Sequence, residues 1–88
     1  MYIHLGQTTV VKSSEVLGIF DLESTTVSKN TRKFLEKAEK RKEVTTVSYE
    51  LPKSFIVTSS EKRKQRVYIS QLSSSTLLKR SGFIEALV

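Results

Sequence analysis

The 88-residue chain carries fifteen Lys and Arg against nine Asp and Glu, a formal charge of +6. That balance favours nucleic acid, anionic lipid or an acidic protein as partner. Cysteine is absent and histidine occurs once, which excludes disulfides, thiolate nucleophiles and the usual zinc coordination sets, and fits a reducing cytoplasm. No apolar run approaches the roughly 18 residues of a membrane span, and Met1-Tyr2-Ile3-His4 lacks the basic opening of a signal peptide. The length fits one domain over residues 1–88, with a modest core that association would reinforce.

Taken in chain order, the first third reads as strands. Tyr2-Ile3-His4-Leu5 alternates, Gly6-Gln7 supplies a turn, and Thr8 to Lys12 is β-branched. Ser13-Ser14 separates these from a third strand, Val16 to Asp21, in which Gly18 marks a bulge or a close backbone approach. From Ser28 to Lys42 the period changes. Phe34, Leu35 and Ala38 form a narrow apolar stripe with Val27 or Thr31 one turn earlier, and Thr25, Thr26 or Ser28 can cap the helix. Val44 to Tyr49 is again β-rich, and Leu51-Pro52 interrupts it. Ser54 to Thr58 is the strongest strand in the chain, and Arg66 to Ser70 mirrors it across a basic stretch, so the two read as a hairpin. Ser73-Ser74-Ser75 leads into a second helix with a basic last turn, Gly82 stops it, and Phe83 to Val88 is an apolar tail. The class is α+β: a mainly antiparallel sheet with two helices on one side.

Nothing in the chain advertises catalysis. His4 faces away from Ile3 and Leu5 with no evident partner, no serine sits in a nucleophile elbow, and Gly6 and Gly18 form no phosphate loop. The reading is non-enzymatic, with no catalytic residue, metal or cofactor. The serines before the second helix read first as caps, with phosphate binding at the helix start as the sharper alternative.

The cations form two clusters. Seven of them, Lys29 to Lys42, are spread around the first helix among Glu36 and Glu39, as on a solvated surface. At the hairpin tip Lys62, Arg63, Lys64 and Arg66 fill four of five positions. There a solubilising loop and a phosphate-binding ribbon are both open readings. Lys53 stands apart, because Pro52 stiffens its loop and a pre-set cation loses little entropy on meeting a phosphate.

Four stretches in the same order, YIHLG (2–6), GIFD (18–21), PKSFIVT (52–58) and YISQLSSSTLLKR (68–80), resemble the RemA/RemB family of small bacterial extracellular-matrix regulators over nearly the whole chain. The resemblance implies a small α+β protomer of the LytTR type of DNA-binding domain. For the RemA branch it implies closed rings that bend or wrap DNA around their rim. In that branch consecutive arginines follow a Tyr-Gly that aligns with Tyr49-Glu50; here the match is Leu51-Pro52-Lys53, so only Lys53 inherits the role. Another arginine of that branch aligns with Glu15, which would repel phosphate. The hairpin tip is longer and more basic than in RemA-type chains.

Together these readings give a cytoplasmic bacterial transcription regulator of biofilm-matrix genes. It would bind double-stranded DNA as a homo-oligomer, a ring being the form that resemblance to the RemA branch leaves open, with no membrane and no small-molecule substrate. The DNA-binding residues expected are Lys53, Lys62, Arg63, Lys64 and Arg66, with Lys12 and Arg32 as lesser candidates. The alternative is an adaptor that joins another regulator without touching DNA. An RNA-binding module ranks third, because no exposed aromatic pair at stacking spacing is evident and Tyr68 reads as packed in its strand.

Overall fold

The computed structural model describes residues 1–22, 28–62 and 64–81. Thr25, Thr26, Val27, Arg63, Gly82 and the 83–88 tail, all invoked from sequence, lie outside the described residues.

Among the described residues, six strands and two helices form where the period of the sequence places them. β1 (Tyr2–Gly6) and β2 (Thr9–Lys12) pair antiparallel as a separate two-stranded ribbon, with Tyr2 opposite Lys12 and Ile3 opposite Val11. A 3₁₀ turn at Ser13–Glu15 leads into β3 (Val16–Asp21). Helix α1 (Lys29–Lys40) follows, then β4 (Val44–Thr46), β5 (Ser54–Thr58), β6 (Arg66–Ser70) and helix α2 (Ser74–Ser81). Both helices start on serine caps: the Ser28 hydroxyl accepts from the Thr31 N–H at 3.1 Å, and the Ser73 hydroxyl from the Thr76 N–H at 3.2 Å.

The main sheet has the order β3-β5-β6-β4. β5 pairs antiparallel with β3 and with β6, so the expected β5–β6 hairpin is present, Thr58 opposite Arg66. β4 pairs parallel with β6 and is shorter than the β-rich run from Val44 to Tyr49. A register shift between Val16 and Gly18 marks a bulge, and the Phe20 ring lies over Gly18, 2.6 Å from where a Cβ would stand. Glycine at this position leaves room for that ring to stack on Phe55, centroids 4.9 Å apart.

All five residues of β5 are buried. Because side chains alternate across a strand, this central strand needs cover on both faces. Phe55 and Val57 pack with Val67 against Ala38, Phe34 and Leu35 of α1. Ile56 packs on the other side with Ile3, Leu5, Val11 and Val47, and with Leu77 of α2. The α+β class and the mainly antiparallel sheet are as the sequence indicates. The expectation of both helices on one side is corrected: α1 covers one face, and α2 with the β1–β2 ribbon covers the other. A β5 apolar on both faces requires that division.

Buried hydroxyls tie the second layer down. The Ser70 hydroxyl donates to the Leu5 carbonyl at 2.6 Å and accepts from the Leu72 N–H at 3.0 Å, while the Ser54 hydroxyl donates to the Leu72 carbonyl at 2.8 Å. Polar side chains so deep are stable only with such partners.

Candidate nucleic-acid interface

The topology sorts the cations by the two ends of the main sheet. Lys53 precedes β5, and Lys62 and Lys64 follow it; a five-residue strand holds them apart by about 16 Å of extended chain. Lys53 is exposed on a fixed backbone: its N–H donates to the Ser70 carbonyl at 2.9 Å, and its carbonyl accepts from the Leu22 N–H at 2.8 Å. The stiff loop expected around Pro52 is therefore present. It stands at the far end of the sheet from the hairpin tip.

At the tip end, Lys62 and Lys64 are exposed and Arg66 is half-buried. The loop is braced: the Ser59 hydroxyl donates to the Lys64 carbonyl, and the Ser59 N–H donates to the Glu15 carbonyl at 2.9 Å. Two further cations arrive from elsewhere in the chain. α1 runs over the sheet face and hands over to β4 beside Val67, so its C-terminus meets the hairpin. There Lys42, Lys64 and Arg66 line one recess with Glu43 and Gln65, and the Arg66 guanidinium donates to the Lys42 carbonyl at 3.4 Å. On its other side Arg66 lines a second recess with Lys12, at the end of β2. Arg66 is thus the wall between two cationic hollows. Glu43 tempers the first, although its carboxylate also accepts from the Gln65 amide at 3.2 Å.

Lys42 escaped the sequence reading, which placed it on a solvated helix. Its backbone φ is +58°, the left-handed region. The Lys42 N–H donates to the Glu39 carbonyl at 3.0 Å and the Glu43 N–H to the Ala38 carbonyl at 2.9 Å, the paired bonds of a Schellman helix stop. Glycine is usual at such a position and lysine is not. Arg32, the lesser candidate near the start of α1, is exposed, but α1 begins at the end of the sheet remote from the tip. The remaining α1 cations are exposed, as expected of a solvated face.

Among the described residues no three His, Cys, Asp or Glu side chains converge as a metal would need, and no helix is long and apolar enough to cross a membrane. His4 is exposed, and its carbonyl accepts from the Arg80 guanidinium at 3.2 Å.

Comparison with known proteins gives this geometry its context. Residues 2–80 match the RemA-like family model, described as extracellular matrix regulatory protein A-like. Over 84 residues the chain is 44% identical to Extracellular matrix regulatory protein B of Bacillus subtilis (strain 168), an alignment covering 96% of this chain and 94% of that protein. With a family-model match over residues 2–80 and an alignment over nearly the full length of both proteins, the chain belongs to the RemA-like family of extracellular matrix regulatory proteins.

Proposed function

We propose that this chain is a cytoplasmic transcription regulator of extracellular-matrix genes that binds duplex DNA without catalysis, through backbone phosphates, as a closed homo-oligomer. The observation that carries the reading is the convergence of Lys12, Lys42, Lys64 and Arg66 at one end of the sheet, beside the exposed Lys62. All four sit on hydrogen-bonded backbone, so the ordering cost of a phosphate contact is confined to their side chains. Contacts of this type position a duplex without reading its bases. A single module makes only a few of them, and joining copies multiplies them through effective concentration. Lys53 then serves a second strand of contacts, at the opposite rim of each protomer.

The adaptor reading draws on a different observation. Tyr49 and Leu51, in the loop before Lys53, are 98% and 80% exposed, and large apolar side chains two positions apart in one exposed loop favour a protein partner. A mobility shift on duplex DNA, run beside light scattering, separates the two. The DNA reading expects binding at low salt that weakens when Lys62→Gln and Lys64→Gln are combined, from a particle several protomers in mass. A monomer that retains no DNA at low salt would falsify it.

A further inference from the structure

The second hollow beside Arg66 has a lining that phosphate contacts alone do not require. Tyr2 and Lys12 are direct partners across the β1–β2 ribbon, and Arg66 and Tyr68 are two apart on β6, hence on one face of the main sheet. These four side chains, with Val10 and Glu15, line a recess of about 300 Å³ between the ribbon and the sheet. That volume is at the small end of ligand sites. The Tyr68 ring is half-buried and packed against the core of Ile3, Leu5 and Ile56, which fixes its orientation. Tyr2 is 61% exposed at the rim. Two tyrosines that are 66 positions apart in the chain therefore flank one hollow, the pair that no local spacing reveals.

We propose that this recess seats one unstacked nucleotide of a DNA strand, its base against the tyrosines and its phosphate between Lys12 and Arg66. The chemistry selects that occupant. A free phosphate has no use for the tyrosine and valine surfaces, and an apolar side chain has none for two cations. A nucleotide offers a flat π face and an anion joined at fixed spacing, and the exocyclic amino group of a base suits the Glu15 carboxylate as a hydrogen-bond acceptor. Lys12 and Arg66 offset the repulsion that Glu15 would exert on the phosphate. The inference rests on the nucleic-acid reading above and adds a base-dependent component to it.

The test compares two short single-stranded oligodeoxynucleotides of equal length and phosphate count, one ordinary and one with abasic sites throughout, by fluorescence anisotropy with the full chain. The ordinary strand is expected to bind about tenfold more tightly, a ratio typical of losing one base–aromatic contact. Tyr2→Leu should abolish that ratio and Tyr2→Phe should keep it, with the fold of both verified by circular dichroism. Equal affinity for the two strands, no binding of either, or a ratio indifferent to Tyr2→Leu overturns the proposal. The double variant Lys62→Gln, Lys64→Gln keeps the two readings distinguishable. Loss of duplex affinity with an absent base-dependent ratio sinks only the nucleotide seat. An intact ratio with duplex affinity indifferent to the double variant sinks only the tip reading.

Discussion

Lys42 carries two opposed demands at one position. A side chain in the left-handed region costs about 1–2 kcal/mol, whereas glycine there costs about 0.5–1 kcal/mol through the freedom it adds to the unfolded chain. The strain is the larger quantity, so Lys42→Gly should raise stability by roughly 0.5–1 kcal/mol in chemical denaturation. Lys42→Ala keeps the Cβ and with it most of the strain, so it should give no such gain. Both substitutions remove the same cation from the recess shared with Lys64 and Arg66. Both should therefore weaken duplex binding alike, which separates charge from backbone conformation; a duplex affinity unchanged in both would remove Lys42 from the interface. Gly6 presents the converse case at the β1–β2 turn. Its φ is +115°, and a Cβ would stand 2.8 Å from the Gln71 side-chain amide. Gly6→Ala should destabilise by at least about 1 kcal/mol, visible as a lower denaturation midpoint.

The β1–β2 ribbon is an element that cannot stand alone, since a two-stranded hairpin is at best marginal in water. It is held by Ile3, Leu5 and Val11 buried against Ile56 and against Leu77 of α2, by the Ser70 hydroxyl bonded to the Leu5 carbonyl, and by the Arg80 guanidinium bonded to the His4 carbonyl. Ser70→Ala strips partners from the Leu5 carbonyl and the Leu72 N–H at once. One buried and one partly buried group without partners predict a loss of roughly 1–3 kcal/mol, the larger share from the Leu5 carbonyl. Amide exchange is the sharper measurement. Protection should fall first in β1 and β2, because the ribbon loses its tether while the β5–β6 ladder keeps its own bonds; uniform loss across the chain would contradict this account of the ribbon. The same element sets one wall of the hollow lined by Tyr2 and Lys12, so the tether bears on the proposed nucleotide seat as well as on stability.

At the scale of the whole molecule, the proposed duplex binding depends on the fold gathering part of the +6 formal charge at one end of the sheet. Dispersed over an 88-residue surface, the same charge would mainly confer solubility. Each phosphate contact contributes about −0.9 to the slope of log affinity against log salt. Combining Lys62→Gln and Lys64→Gln should therefore reduce the magnitude of that slope by about 2 for each protomer in contact with DNA, together with the affinity itself. A weaker complex with an unchanged slope would mean that these side chains act through structure and not through phosphate. Lys53→Gln tests the opposite rim of the sheet: an additive reduction in slope is expected, as for sites that share no partner.

Most local structure was legible in the chain itself. Alternation and β-branched runs placed the strands, the Phe34, Leu35 and Ala38 stripe placed α1, the serines at 73–75 placed the second cap while the first was open among Thr25, Thr26 and Ser28, and adjacency across a basic loop placed the β5–β6 hairpin. These features depend on neighbours within a few positions, so a local reading suffices. The parallel seat of β4 beside β6, the division of the helices between two faces, and the meeting of Lys42 with Lys64 and of Tyr2 with Tyr68 were not legible. They arise when β5, apolar on both faces, is covered by elements distant in the chain, and a contact between distant elements is fixed by the surfaces they bury together.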